Sequence, residues 1–383
     1  MDFTESSELH LLRDAVRGIA SSYGHDYFAQ KARSGGKTTE LWDDLARKGY
    51  LGVNIPEEFG GGGLGITALA AVCEELGAAG CPLLLLVVSP AIVGSVLALH
   101  GTSAQKKDWL PGIASGTKKV VFAITEPDAG SNSHNLATTA TRDGGVYRLR
   151  GTKYYISGVD EADAILVVAK IVDGAGQPTG LGLFIVDVDA PGLEKSPIPV
   201  QTVMPERQFT LFFDGVPVPA ERLVGGEGAG LAPLFTGLNP ERITSAAMAN
   251  GVGRYALGKA AGYARDRKVW RVPIGAHQGI AHPLAEAKIG VELARLMTAK
   301  AAWMYDAGED AGEASNMAKF AAAEAALRAL DQAIQTHGGN GLACEYGLAD
   351  MWGALRTLRI APVSREMILN FVAQHSLGLP KSY

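Results

Sequence analysis

The sequence predicts an α+β fold in which two helical parts flank a central β-domain. Residues 1–118 carry apolar side chains at helical spacing, and residues 119–226 change to alternating patterns broken by Gly and Pro. Residues 227–383 are helical again and rich in Ala, so their helices can approach closely and form a four-helix bundle. We therefore expect three domains, at residues 1–118, 119–226 and 227–383.

The N-terminal part predicts a helical block. Its longest apolar run, Cys81–Leu99, is nearly long enough to cross a membrane, but Pro90 and Gly94 interrupt it. We expect a buried helical segment there and no stable membrane anchoring. The four-glycine segment Leu51–Leu64 lacks a nucleotide-binding pattern and is expected to be a flexible connection. The other elements expected are helices at Glu8–Ala20 and Ile66–Leu76, a helix capped by Thr38 or Thr39, and a closing segment at Trp109–Gly116.

The central part predicts a small antiparallel β-domain, with Gly- and Pro-containing turns between its strands. Its expected elements are a strand at Lys119–Thr125, a hairpin at Val146–Ser157, strands at Ala164–Val172, Leu181–Val188 and Gln208–Asp214, and an extended linker at Val216–Gly225.

Composition excludes several classes of function. The chain is 47% hydrophobic and 20% charged, which is typical of a globular protein with a large core. A net charge of −5 argues against a nucleic-acid partner. The three cysteines have no metal-ligand spacing, so no metal site is predicted, and such a sparse set suggests a reducing compartment. Because the first residues are acidic and polar rather than signal-like, we expect a cytoplasmic protein.

One stretch, Phe122–Asn132, points to a binding site. A β-branched strand stops at Glu126-Pro127-Asp128-Ala129-Gly130, where Pro127 fixes a φ angle and Gly130 permits a conformation that other residues avoid. Hydroxyl and amide side chains follow. Free backbone N–H groups and hydroxyls at a strand end can receive a cofactor ring edge or a phosphate. The alternative is an ordinary β-turn with capping side chains.

This stretch resembles the T-E-P-x-A-G-S signature of the acyl-CoA dehydrogenase family. Further resemblances are Gly151–Ser157 to G-x-K-x-W-I-T, Tyr263–Arg267 with Gln278 to Y-A-x-x-R…Q, and Gln335–Gly341 to Q-x-H-G-G-x-G. The helical, β, helical order also agrees with this family. The resemblance implies FAD as cofactor, an acyl-CoA substrate, an electron-transfer flavoprotein as electron acceptor, and a role in fatty acid metabolism.

The resemblance also implies which residues bind FAD. The turn contacts the flavin ring, Tyr155 takes the aromatic position beside it, and Ser157 takes the position that bonds flavin N5. Two later motifs contact the adenosine-diphosphate moiety of a neighbouring subunit, which implies a homotetramer. Without the resemblance, Gly338-Gly339-Asn340-Gly341 would be interpreted as a helix C-cap. The expected FAD-binding residues are Phe122, Ile124, Thr125, Gly130, Ser131, Tyr155, Ile156, Ser157, Arg267, Gln278, Gln335, Gly338, Gly339 and Ser364.

The catalytic base departs from the commonest family pattern. Oxidising an acyl thioester requires a base for the α-proton and a cofactor that accepts the β-hydride. Many family members carry the base in a Y-E-G-T segment, but here Pro362 takes the carboxylate position, and it has neither a carboxyl nor an N–H. Leu238–Arg242 instead matches the L-x-x-E-R motif of isovaleryl- and long-chain-type enzymes. With Pro240 at a helix start, Glu241 falls in the first turn, where the macrodipole favours a carboxylate.

Glu241 is therefore the predicted base, and flavin N5 would take the β-hydride to leave a trans-2-enoyl-CoA. The alternative is that Glu241 only satisfies the helix dipole. Ser131 and Arg242 are expected at the substrate. Glu366 is a rival carboxylate, although the resemblance gives it a structural role, and His337 lacks a nucleophile and is also interpreted as structural.

Three functions remain open from the residues. The leading one is FAD-dependent acyl-CoA dehydrogenation. Branched or bulky acyl groups would be tolerated, because Ala361-Pro362-Val363 stands in place of the family's Tyr-Glu-Gly and removes side-chain bulk near the thioester. The second is a non-catalytic flavin-binding subunit of a heteromeric acyl-CoA dehydrogenase. The third is a fold relative that performs oxygen-dependent flavin chemistry.

Overall fold

The computed structural model describes residues 4–227, 229 and 232–381, and its element order is helical, β, helical. The N-terminal helices are α1 (Ser7–Ser34), α2 (Thr39–Arg47), α3 (Gly65–Ala78), α4 (Leu84–Leu86), α5 (Ser95–His100) and α6 (Ser103–Ala114). Thr38 does precede α2, but its side chain makes no capping hydrogen bond, so the predicted capping role is wrong. The helix is held instead by burial of Leu41, Trp42 and Leu45.

The apolar run is a buried helical segment, as predicted. A π-helix at Val87–Gly94 joins α4 to α5, and all eight of its residues are buried. Pro90 lies inside it, and the carbonyl of Pro90 accepts a hydrogen bond of 2.8 Å from the Asn54 amide. None of the helices in the described residues combines the length and the apolarity needed to cross a membrane.

The central part is an eight-stranded sheet with the order β6-β7-β3-β2-β4-β5-β8, and β1 pairs separately with β4. Most pairs are antiparallel, but β4 runs parallel to both β1 and β2. The strands are β1 (Val120–Ala123), β2 (Thr139–Asp143), β3 (Val146–Ser157), β4 (Ala164–Val172), β5 (Pro178–Asp187), β6 (Leu193–Ile198), β7 (Gln208–Pro219) and β8 (Leu223–Val224).

The predicted hairpin at Val146–Ser157 is wrong, because this segment is the single strand β3. Gly151 is not a turn residue. It has φ +145°, and a Cβ built on it would lie 2.6 Å from the Thr138 hydroxyl. Glycine is therefore needed inside the strand for close backbone approach, which the sequence alone does not distinguish from a turn. The actual hairpin partner of β3 is β2.

The predicted linker at Val216–Gly225 is also wrong in its first half. Strand β7 continues to Pro219, and its last residues pair only with β3, since β6 pairs with β7 no further than Phe213. Proline lacks an N–H but is tolerated where a strand has a neighbour on one side only. Pro217 and Pro219 therefore lie where β7 is an edge strand of the sheet, and they do not end the strand.

The C-terminal part is a bundle of long helices, as predicted. Its helices are α7 (Ala232–Asp266), α8 (Gln278–Asp306), α9 (Gly312–His337), α10 (Met351–Ile360) and α11 (Arg365–Phe371). A small hairpin of β9 (Lys268–Val269) and β10 (Val272–Pro273) connects α7 to α8. Since α7, α8 and α9 are joined by short connections, the end of α7, the start of α8 and the end of α9 lie at one end of the bundle.

Candidate active site

The central turn is closed by two backbone hydrogen bonds. The Glu126 N–H donates to the Ala129 carbonyl at 3.2 Å, and the Ala129 N–H donates back to the Glu126 carbonyl at 3.1 Å. Phe122 is buried behind the turn, and Ser131 beyond it is exposed. The closed turn therefore directs the chain from the buried strand β1 to the protein surface.

Gly130 does not have the conformation that the sequence predicted. Its φ lies outside the left-handed region, so the prediction based on its backbone freedom is wrong. A Cβ built on Gly130 would meet no other atom within 4 Å. The glycine leaves open space above an exposed backbone, and an absent side chain allows a flat group to approach the chain.

A buried ion pair fixes the turn to strand β3. Lys153 Nζ lies 2.7 Å from Glu126 Oε1, and the two side chains are 0% and 4% exposed. Lys153 Nζ also donates to the Ile124 carbonyl at 2.9 Å. The Glu126 carboxylate accepts hydrogen bonds from the backbone N–H groups of Ala137 and Thr138 at 2.5 and 3.0 Å.

Burial by itself would raise the pKa of Glu126. The Lys153 ammonium and the backbone donors outweigh burial and hold this pKa below its ordinary value. The carboxylate is therefore ionised, and it orders both the turn and the segment leading into β2. Roles were predicted from the sequence for the neighbours of Glu126 and Lys153 but not for this pair. Lys153 falls in the same alternation as the buried Tyr147 and Leu149 of β3, and a lysine at such an inward position was the signal that could have found it.

The strand beside the turn presents Tyr155 outward. The Tyr154 N–H donates to the Thr125 carbonyl at 2.8 Å, and the pairing of β3 with β7 is irregular between Lys153 and Ile156. At this irregularity Tyr155 has φ +57° and is 52% exposed, whereas Ile156 is buried. A left-handed φ in a large non-glycine residue costs about 1–3 kcal/mol. The strain holds one aromatic face outward beside the turn.

Ser157 ends β3 close to the same surface. Its hydroxyl donates to the Gln208 side-chain oxygen at 2.9 Å. Thr125 and Ile124 are half-buried on the adjoining segment. These side chains, the open space at Gly130 and the exposed Tyr155 ring belong to the adjoining turn and strand end. An open backbone, an aromatic face and hydrogen-bonding groups together fit the edge of an isoalloxazine ring.

Glu241 does not lie at a helix start. Helix α7 begins at Ala232, so Pro240 is inside the helix and Glu241 is beyond its second turn. The predicted stabilisation by the helix dipole is wrong, because that effect is confined to the first turn. Pro240 cannot donate to the Thr236 carbonyl, and the Tyr305 hydroxyl donates to that carbonyl at 3.4 Å. This compensation from α8 was not visible in the sequence.

The surroundings of Glu241 set its acidity. Burial raises the pKa of Glu241 to about 7, although the positive charges of Arg242 and Lys319 act to lower it. Arg242 Nη1 donates to the Asn239 side-chain oxygen at 3.0 Å, and its Nε is a buried atom with no hydrogen-bond partner among the described residues. A carboxyl with a pKa near 7 is suited to accept a proton at neutral pH.

The segment around Pro362 lies between α10 and α11, and its Ala361–Pro362 peptide bond is cis. Ser364 is the N-cap of α11, and its hydroxyl accepts a hydrogen bond of 3.2 Å from the Met367 N–H. The Glu366 side chain is 73% exposed and approaches Arg365 at 3.8 Å. Glu366 therefore lacks the burial that Glu241 has.

The motifs predicted to bind adenosine diphosphate meet at one end of the bundle. Gln278 begins α8, Gln335 lies in the last turn of α9, and Gly338 caps α9 with φ +61°. Arg267 and Gln278 are exposed, as is Gly339, where an added Cβ would meet no atom within 4 Å. The C-cap geometry is therefore present, and it leaves an accessible surface next to an arginine.

Tyr263 and His337 pack together beneath this surface. Their rings stack with centroids 4.2 Å apart, and His337 Nδ1 lies 2.8 Å from the Ala333 carbonyl. Asn340 donates to the Tyr263 hydroxyl at 3.2 Å. These contacts support the structural interpretation of His337. At the hairpin tip, Trp270 is 87% exposed with φ +60°, and nothing in the structure explains the additional charge of Arg271.

The bundle-end surface and Glu241 are far apart within one chain. Both lie along α7, and the helix from Glu241 to Asp266 is roughly 38 Å long at 1.5 Å per residue. A single dinucleotide cofactor beside Glu241 cannot also contact Arg267 of the same chain. The structure therefore separates the candidate base and the bundle-end residues along α7.

Known proteins match this chain over nearly its full length. Models described as the N-terminal, middle and C-terminal domains of acyl-CoA dehydrogenase match residues 6–117, 121–216 and 228–377. Acyl-CoA dehydrogenase FadE12 of Mycobacterium tuberculosis is 57% identical, and the match covers 100% of this chain and 99% of the relative.

Solved structures are similar in fold over nearly the full length. A complex of glutaryl-coenzyme A dehydrogenase with glutaryl-CoA has a TM-score of 0.94 at 29% identity and covers 100% of this chain and 98% of its own. The FAD complex of PigA has a TM-score of 0.91 at 28% identity, with 99% and 100% covered.

Proposed function

The chain belongs to the acyl-CoA dehydrogenase family, and from this premise we propose that Glu241 is the base of its reaction. The protein is an acyl-CoA dehydrogenase with FAD as cofactor, and it oxidises an acyl-CoA thioester to a trans-2-enoyl-CoA. FAD supplies the hydride acceptor. The chain must supply the base, the donors that polarise the thioester, and the surface that orients the ring.

The observation that carries the proposal is the environment of Glu241. Its carboxyl is partly buried on α7, and burial raises its pKa to about 7. At pH 7 such a group is about half ionised, which suits a base that must accept a proton and later release it. Pro362 provides no competing carboxyl, and Glu366 is exposed.

We assign the flavin ring to the surface formed by the central turn and the end of β3. The Glu126–Lys153 pair fixes the two segments relative to each other, and Tyr155 and Ser157 extend from the second one. The proposed ring contacts are Phe122, Ile124, Thr125, Gly130, Ser131, Tyr155, Ile156 and Ser157, with Ser364 nearby.

The thioester is proposed to lie between Ser131 and Arg242. Ser131 is exposed beside the turn, and Arg242 neighbours the base. The buried, unpartnered Nε of Arg242 is a donor available at this end of the site. Because Ala361-Pro362-Val363 carries small side chains, we propose branched or bulky acyl groups as substrates. A panel of straight, α-branched and β-branched acyl-CoAs, followed by the loss of flavin absorbance, tests this preference.

The bundle-end residues are proposed to bind the adenosine-diphosphate moiety of a neighbouring subunit's FAD. These residues are Arg267, Gln278, Gln335, Gly338 and Gly339, and their distance from Glu241 along α7 supports an assignment to a second chain's cofactor. Helix α8 also exposes four large apolar side chains along one face: Ile289, Leu293, Leu296 and Trp303. Such a stripe needs a partner, and we propose that it is buried in a homotetramer.

Three finer assignments complete the proposal. The domain boundaries are placed at residues 1–118, 119–226 and 227–383. An electron-transfer flavoprotein is the proposed electron acceptor, because the reduced cofactor must be reoxidised in each turnover. Fatty acid metabolism in the cytoplasm is the proposed setting.

Replacing Glu241 with Gln tests the central assignment. We expect the variant to bind FAD normally and to lose flavin bleaching by acyl-CoA by at least two orders of magnitude, as for loss of a general base. Bleaching at the parent rate would remove Glu241 from the mechanism. Absence of bleaching in the parent with every acyl-CoA would favour the non-catalytic subunit, and a requirement for oxygen would favour the third alternative.

A further inference from the structure

Lys319 is a buried lysine that links the candidate base to the segment around Pro362. It lies on α9 and is 2% exposed. Its Nζ donates a hydrogen bond of 2.5 Å to the carbonyl of Val363, the residue that follows Pro362. A lysine is rarely buried to this extent unless it has a specific partner.

The charges around Lys319 come from three helices. Glu241 and Arg242 face it from α7, Glu324 lies on α9 itself, and Glu366 faces it from α11. Burial lowers the pKa of Lys319 to about 8, with the three carboxylates opposing that shift and Arg242 adding to it. The ammonium form therefore predominates at neutral pH, and its charge acts on the partly buried Glu241 carboxyl.

We propose that Lys319 is a positioning residue that stabilises the ionised form of Glu241 and holds the Ala361–Ser364 segment in place. The proposal rests on the assignment of Glu241 as the base. Both effects come from one ammonium group: its charge acts on α7, and its N–H bond fixes the Val363 carbonyl. A merely structural lysine would hold the segment but would not affect the ionisation of Glu241.

Two substitutions separate these effects. Lys319→Met keeps the aliphatic stem and removes both the charge and the donor. Lys319→Gln removes the charge but keeps an N–H donor for the Val363 carbonyl. Lys107→Met, at an exposed lysine on α6, is the control.

The first measurement is the pH dependence of kcat/KM with a reactive acyl-CoA. An opposite charge lowers the pKa of a carboxyl, so removal of the ammonium raises it. We expect the acid limb to move upward by about 1 pH unit in both Lys319 variants and to stay in place in Lys107→Met. At pH 7 the variants lose several-fold in rate, and most of this returns at pH 9.

The second measurement does not depend on turnover. At pH 8 the ionised, partly buried Glu241 opposes folding, so Glu241→Gln should raise the midpoint of thermal unfolding. The increase should be larger in the Lys319→Gln background than in the parent, because Glu241 has then lost its stabilising charge. An equal increase in both backgrounds, with an unmoved acid limb, would show that Lys319 is only structural. Should Glu241→Gln retain flavin bleaching, the proposed function fails, yet the thermal measurement still decides whether the two residues are coupled.

Discussion

Lys153 and Glu126 form a buried ion pair, with Nζ 2.7 Å from Oε1, that joins the turn after β1 to the strand bearing Tyr155 and Ser157. Each partner also bonds to backbone groups of the turn or of the segment leading into β2. The pair therefore sets the relative position of the two segments assigned to the flavin ring.

Removing one member of this pair should weaken both the fold and cofactor binding. Lys153→Met leaves the Glu126 carboxylate buried and unpaired, which costs about 3–5 kcal/mol. We expect a lower urea midpoint for the FAD-free protein and faster FAD release by fluorescence. Lys170→Met, at a half-buried lysine of β4, is the control and should change neither the urea midpoint nor the rate of FAD release greatly. The double variant with Glu126→Gln should be less destabilised than the sum of the two single changes; strict additivity would contradict the coupling.

Glu241 should make the FAD-free protein less stable as the pH rises. Its pKa in the folded protein is about 7, against an ordinary value of 4.5. The native state therefore binds the proton more tightly, and ionisation between these two pH values opposes folding. Glu241→Gln should be more stable than the parent by about 2 kcal/mol at pH 8, allowing for partial exposure, and equal to it near pH 4.5. Chemical denaturation at both pH values checks this, with Glu58→Gln as the exposed control. A constant difference at both pH values would rule out the raised pKa.

If the bundle-end residues bind a neighbouring subunit's FAD, two inactive variants should restore activity to each other in a mixed assembly. Arg267→Gln should lose FAD from the neighbouring site, and Glu241→Gln should lose the base in its own site. Co-expression gives mixed assemblies in which an Arg267→Gln subunit keeps its Glu241 and receives an intact Arg267 from its partner. We expect turnover from the mixture and little from either variant alone.

Arg265→Gln is the matched control for this experiment, since Arg265 is also exposed near the end of α7. It should bind FAD and turn over like the parent. If the mixed assemblies remain inactive although both subunits are present in them, Arg267 does not act across the subunit boundary.

The apolar face of α8 should be required for assembly. Leu293 is 63% exposed, and Leu293→Glu places a charge in the middle of the stripe. We expect a smaller particle by light scattering after size exclusion, together with lower FAD content. Leu99→Glu is the control, because Leu99 is 64% exposed on a different helix. A parent-sized Leu293→Glu particle would place the interface elsewhere.

The sequence was sufficient for the order of the fold but not for several element boundaries. Strand β4 was predicted with its observed ends, because Ala164–Val172 is a continuous apolar run. Val146–Ser157 was predicted as a hairpin because the sequence does not show that Gly151 permits close contact with Thr138 inside one strand. Pro240 was misread as a helix start because its compensating partner, Tyr305, lies on another helix.

The candidate site could likewise be predicted only in part. A site role for Tyr155 could be predicted from the local motif, and the structure adds the strained φ that turns this ring outward. The Lys319–Val363 bond and the Glu126–Lys153 pair join residues that are distant in the sequence. Burial decides their strength, and a single sequence does not give burial at such positions.

The length of α7 has a consequence for how the enzyme responds to dilution. Under the proposed assignments, one end of this helix supplies the base for its own site and the other end holds a neighbour's cofactor. A separated subunit would keep its folded core but lack the neighbour's contacts that help to retain FAD. Specific activity should then depend on protein concentration, and the yellow colour should be lost to ultrafiltration before the helical signal declines.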